Sequence, residues 1–153
     1  MKTVLIAVDD SKGSEAAVRT FLDIFSSNRP EAVVLLYVQK IEGRSLMDDM
    51  LGEPEMSTLK EMLKGTEYQK LLDKHAGRII SYHAKLLEEQ GVAGLKALIR
   101  EGHPADEILV VAKEEGAGLI IIGSRSRKMH SFFMGSVSRE VANRADIPVL
   151  VAR

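Results

Sequence analysis

Cysteine is absent from the 153-residue chain. That excludes disulfides, thiolate metal sites and a cysteine nucleophile, and it agrees with a reducing cytoplasm as the expected location. Neither sign of charge prevails: 21 Lys and Arg face 22 Asp and Glu, a net charge of −1. No general attraction to nucleic acid or to an anionic membrane is therefore expected. No stretch approaches the ~18 consecutive apolar residues of a membrane-spanning helix. The first apolar run, residues 4–8, is closed at once by Asp9 and Asp10, too short and too soon followed by acid for a signal peptide. Internal repeats and low-complexity tracts are missing as well. One absence is local: between Gly116 and Arg139 there is no Asp or Glu, while Arg125, Arg127, Lys128 and Arg139 are cationic.

What is present fits one domain over residues 1–153, since 45% apolar and 28% charged residues are ordinary for a globular chain of this length. Residues 3–8 read as a strand that is apolar almost throughout, hence central and covered on both faces. Ser11 to Ser14 supply turn and N-cap chemistry, and Ala17, Val18, Phe21, Leu22 and Phe25 recur at helical spacing over residues 14–26. Residues 32–38 form a second buried strand, which makes a βαβ unit and implies parallel pairing. Residues 40–65 break periodicity and read as a surface excursion, with a helix start at Ser57 and Thr58 that Gly65 interrupts. A longer helix is expected from Glu67 to Gln90, with Leu72, Ala76, Ile79, Ile80, His83 and Leu87 on its apolar side and Gly91 beyond its end. Strands over residues 95–99, 119–122 and 148–152 alternate with helices that begin at Pro104 and Ser136. Five strands alternating with helices specify a three-layer α/β/α sandwich on a parallel sheet.

In open sheets of this kind, ligands sit beyond the carboxyl ends of strands where strand order reverses. Two strand ends here carry polar chemistry. The first strand ends at Asp9, Asp10 and Ser11. The fourth ends at Gly123, opening a cationic loop that runs to Gly135, Ser136, Val137 and Ser138 at a helix start. Unpaired N–H groups of a helix's first turn, with glycine allowing close approach, make an anion site. A carboxylate facing such a site suits a nucleotide, accepting from an amine or ribose hydroxyls while the loop holds phosphates. The alternatives are turn and N-cap propensity for the two acids and a merely solvated surface run for the cationic loop.

The ordered set formed by residues 4–11, residues 32–38, Gly102-His103-Pro104, Gly123 with residues 135–138, and Pro148 with the residues after it resembles the universal stress protein family. The resemblance spans the chain outside residues 40–65. It implies a Rossmann-like fold of the adenine nucleotide alpha hydrolase type, strand order 3-2-1-4-5, and binding of ATP, with or without Mg2+. ATP-binding members carry a loop of glycine, two residues, glycine, nine residues, glycine, then Ser or Thr. Carried over, Gly123 matches the first glycine, and Gly135 and Ser136 the last two positions, with Val137 and Ser138 following. Asp9 falls at the adenine-side carboxylate, Val38 where backbone meets the base, and Ile122 at a pocket-lining position before the loop. Two departures stand out. Ser126 replaces the middle glycine, and eight residues instead of nine separate it from Gly135. A serine held at positive φ would cost about 1 kcal/mol. Arg125, with Arg127 and Lys128, offers compensating charge to the phosphates.

A nucleotide hydrolase needs a metal-holding carboxylate near the phosphates and a base to orient water. The loop holds no carboxylate, and His130 is its single titratable base, so binding with at most slow hydrolysis is expected. His75 and His83 stand eight residues apart, roughly 12 Å along a helix, too far to share a metal. A receiver domain, a PP-loop pyrophosphatase and a dinucleotide enzyme each lack their motif here. The standing rival is a nucleotide-free dimeric scaffold of the same family, acting through protein partners. A terminal apolar strand invites antiparallel pairing with a second copy, so a homodimer is expected.

Overall fold

A computed structural model describes residues 2–39, 67–124 and 135–153. The first apolar run forms β1 (Thr3–Val8), and the amphipathic segment after it forms α1 (Lys12–Ile24). The next run forms β2 (Ala32–Gln39), and the long periodic segment forms α2 (Glu67–Glu89). The chain continues through β3 (Leu95–Glu101), α3 (Pro104–Glu114), β4 (Leu119–Gly123), α4 (Ser136–Arg144) and β5 (Val149–Ala152). All four strand pairings are parallel and the order is β3-β2-β1-β4-β5, as expected. No helix among the described residues is long and apolar enough to cross a membrane.

Strand alternation divides the core in two. Val4, Ile6, Val33, Leu35 and Ile121 point towards α1 and α2, meeting Val18, Phe21, Ile80 and Leu87. Leu5, Ala7, Val34, Leu36 and Ile120 point the other way, towards Ile108, Val111 and Val141 of α3 and α4. Both faces are buried, which is why β1, β2 and β4 are apolar without a polar alternate. Each large side chain so buried contributes roughly 1.5–3 kcal/mol.

The two outer strands differ. On β3, Lys96 pairs with Glu115 at 2.8 Å and Arg100 with Glu114 at 2.9 Å, both at the end of α3. Such exposed pairs add little stability, under about 1 kcal/mol each, but charge on an edge strand opposes pairing with another sheet. β5 carries no charge within its four residues, Val149–Ala152.

Two boundaries moved from their expected places. The helix expected from Ser14 begins at Lys12, because Ser11 takes the N-cap position and frees Ser14 for another contact. β3 runs past Ile99 to Glu101, because its pairing with β2 continues to Gln39. The expected helix start at Ser57 and the excursion over residues 40–65 lie outside the described residues.

Gly94 sets how β3 joins β2. Its carbonyl accepts the Val33 N–H at 3.0 Å, its φ is +66°, and an added Cβ would overlap the Glu31 carbonyl oxygen. Gly94→Ala is therefore expected to destabilise the fold by about 2 kcal/mol, through left-handed backbone strain and overpacking. Urea denaturation measures this, and a change below ~0.5 kcal/mol, the range of ordinary surface substitutions, would refute the strain.

Candidate functional site

β1 lies between β2 and β4, so sheet order reverses at its carboxyl end. The backbone there is tied to the start of α1. Asp9 donates its N–H to Ser14 Oγ at 2.6 Å, and Ser14 Oγ donates back to Asp9 Oδ1 at 2.9 Å. Ser11 N–H adds a third bond to Oδ1 at 2.8 Å, the short turn characteristic of Asp. Both bonds to the carboxylate fall on Oδ1, and among the described residues Oδ2 accepts none. Asp9 is thus oriented by Ser14, a buried hydroxyl whose role the capping pattern concealed. Asp10 lies 3.7 Å from Nε2 of His75. Tyr37, beside this corner on β2, has its phenol pKa raised above 10.0 by burial and then by the carboxylates of Asp10 and Asp9. It stays un-ionised at neutral pH.

The fourth strand meets α1 more closely than its sequence suggests. A Cβ on Gly123 would overlap the backbone of Gly13. Glycine at this position therefore answers to the packing of α1 against β4, a different reason from the expected approach of phosphate oxygens. The next residue is a junction. Ser124 donates its N–H to the Ala152 carbonyl at 2.7 Å and accepts the Gly135 N–H on its own carbonyl at 2.6 Å. One residue thus carries the β4–β5 ladder onward and brings the α4 N-terminus beside β4. Ser124 is 3% exposed, and its hydroxyl has no hydrogen-bond partner among the described residues.

At α4, Gly135 is the N-cap and supplies no side-chain cap. Its carbonyl accepts from Arg139 N–H and from Ser138 Oγ, both at 3.0 Å. The N–H groups of Ser136, Val137 and Ser138 have no backbone acceptor among the described residues. The first turn holds no acid. Free donors at the positive end of a helix dipole favour an anion. On its far side α4 is tied to α3: Arg144 reaches Asp106 at 2.7 Å and Glu140 at 2.6 Å, and His103 reaches Glu140 at 3.2 Å. The hydrogen bond from His103, then that from Arg144, lowers the Glu140 pKa. His103, Asp106 and Glu140 offer ligand atoms within 4.8 Å of one another, but Arg144 already bridges the two carboxylates.

These parts enclose a cleft of about 440 Å3 at the ends of β1, β2 and β4. That is within the usual range of small-molecule sites, roughly 300–1,000 Å3. Asp9, Val38, Ile122, Gly123, Gly135, Ser136, Val137 and Ser138 all line it. Arg125 and Ser126, with Arg127, Lys128 and His130, lie outside the described residues. Sequence reasoning passed over Tyr37, Leu72, His75, Pro104, Ile108 and Ser124, which also line the cleft. Leu36, Val38, Ile108 and Ile122 give it an apolar wall, and Asp9, Asp10 and the first turn of α4 line the same cleft.

A model of the universal stress protein family matches residues 1–153. The chain belongs to the universal stress protein family. A universal stress protein of Thermus aquaticus is 31% identical over 153 residues, covering 99% of this chain and 98% of that one. A universal stress protein of Methanocaldococcus jannaschii is 28% identical over 99% of this chain and 94% of its own. The solved structure of the latter superposes with a TM-score of 0.76. A universal stress protein family member from Arabidopsis thaliana, solved with AMP bound, is 21% identical and has a TM-score of 0.66, covering 99% and 91% of the two chains. Its likeness to this chain is one of fold.

Proposed function

We propose that this universal stress protein binds an adenine nucleotide, ATP foremost, as a regulatory ligand and not as a substrate for turnover. The observation that carries the reading is that two groups of complementary chemistry line one cleft. Among the described residues, Oδ2 of the Asp9 carboxylate accepts no hydrogen bond and the N–H groups of residues 136–138 have no backbone acceptor. The apolar residues of the same cleft suit a planar base, with Asp9 accepting from ribose hydroxyls or an exocyclic amine. The unpartnered Ser124 hydroxyl adds a buried donor near the helix start. AMP in the Arabidopsis relative supports an adenine nucleotide as the ligand class. Described carboxylates lining the cleft are Asp9 and Asp10 alone, both at the β1 exit, so Mg2+ would be carried in by the phosphates. In this reading the protein acts in the cytoplasmic stress response as a homodimer, joined through the free edge of the uncharged β5.

Thermal unfolding with added ligand tests the binding. At ~100 times the dissociation constant a ligand adds about 2.7 kcal/mol. For a chain of this size that raises Tm by roughly 5–11 °C. Asp9→Ala is expected to weaken AMP about tenfold, the loss of one charge-assisted hydrogen bond of ~1.4 kcal/mol. No shift with millimolar ATP or AMP, with and without Mg2+, would favour a nucleotide-free scaffold. A mass in solution equal to one chain at all concentrations would remove the dimer.

A further inference from the structure

We propose that His83 is a positioning residue for the cleft, holding the exit of β1 from behind so that the Asp9 carboxylate faces the ligand. The inference rests on the nucleotide reading above and adds a residue outside the cleft to it.

His83 occupies a position that helical spacing assigns to the core. Ala76, Ile79, Ile80 and Leu87 share its face of α2, and His83 itself is 3% exposed. A leucine would fill such a place without the cost of burying two ring nitrogens. The imidazole has a polar task. β1 stops pairing at Val8, opposite Tyr37, so the Asp9 carbonyl gains no partner from the ladder. Asp9 and His83 line one cavity behind the β1 exit, and a hydrogen bond with the Asp9 backbone is among the effects acting on the His83 pKa. Among the described residues Nδ1 has no hydrogen-bond partner, which assigns the donated hydrogen to Nε2. Asp9 is thereby held at three atoms: its N–H and Oδ1 from the α1 side by Ser14 and Ser11, and its carbonyl by α2.

His83 belongs to the lining of a second cavity of about 380 Å3, on the side of Asp9 towards α1 and α2. The charged and titratable groups around it are Asp9 and Asp10 at the β1 exit, Glu15 on α1, and His75, Arg78 and Tyr82 on α2. Burial lowers the His83 pKa below 6.5, against the opposing effects of the Asp9 hydrogen bond and of the Glu15 and Asp9 charges. At neutral pH the ring is therefore neutral. Below about pH 6.5 the unfolded chain takes up the proton first, so stability falls as pH drops towards the folded pKa. Protonation in the fold places a positive charge beside Asp9, where it competes with the ligand for the carboxylate.

Binding of adenosine, which has no phosphate to titrate, separates these effects. His83→Gln keeps an amide N–H near the place of Nε2 and does not titrate, whereas His83→Leu keeps bulk and loses the donor. At pH 7.5, calorimetry is expected to give a loss of adenosine affinity of about tenfold for His83→Leu and less than threefold for His83→Gln. From pH 7 to 5 the wild-type affinity is expected to fall relative to His83→Gln. In the nucleotide-free protein, Ser11 N–H, bonded to Asp9 Oδ1, is expected to exchange with solvent faster in His83→Leu and unchanged in His83→Gln. Equal adenosine affinity in all three folded proteins would overturn the assignment. So would equal losses of affinity and Tm in the two variants, the mark of packing alone. A wild type that binds neither adenosine, AMP nor ATP would defeat the nucleotide reading, and Ser11 exchange would still decide the role of His83.

Discussion

Gly135→Asp is expected to lower ATP affinity roughly 100-fold, about 2.7 kcal/mol, while leaving the protein folded. Two effects act in the same direction. A carboxylate at the N-cap brings negative charge to the place assigned to the phosphates. It also accepts from the first-turn N–H groups, the donors the phosphates would use. The helix itself gains a better cap, since Asp exceeds Gly at that position. The added Cβ stands 3.1 Å from the Ser124 carbonyl oxygen, a close contact that a small shift relieves. Affinity and stability should therefore separate, with Tm within about 4 °C of wild type, the equivalent of ~1 kcal/mol. Gly135→Ala adds the same contact without the charge and should retain most of the affinity. ATP bound as tightly by Gly135→Asp as by wild type would show that phosphates do not sit at α4.

Gly123→Ala is expected to act in the opposite manner, by loss of stability. Its Cβ would meet the carbonyl carbon, the oxygen and Cα of Gly13, backbone atoms that no side-chain rotation can move aside. Accommodation requires the N-terminus of α1 to withdraw from β4. Overpacking of this kind costs about 1–3 kcal/mol. At 2–4 °C per kcal/mol that lowers Tm by roughly 2–12 °C. Since Ser14 lies on the same turn of α1, Asp9 should lose its orientation as well, and nucleotide affinity should fall together with stability. Chemical denaturation measures the first effect and calorimetry the second. A variant as stable as wild type would mean that the close approach to Gly13 does not govern this position.

The two glycines are equal members of one motif in sequence, yet they stand in different surroundings. Gly135 is reached by the Ser124 carbonyl through a hydrogen bond, and Gly123 is pressed by a helix from elsewhere in the chain. Ser14 and His83 make the same point. Ser14 reads as a helix cap by composition and His83 as a core position by spacing, yet Ser14 is hydrogen-bonded to Asp9 and His83 lines a cavity with it.

Periodicity, turn residues and apolar runs are local, so they report how each segment is covered. From them follow the five strands, the parallel sandwich, and the polar chemistry at the exits of β1 and β4. The ordered motifs add the family, the strand order and eight residues that line the cleft. Contacts between distant segments leave no local trace. Only the packed sheet and helices bring Gly13 against Gly123, Ser124 between Ala152 and Gly135, and His83 beside Asp9. Those partners depend on layer spacing and on where each strand stops pairing, which the whole fold decides.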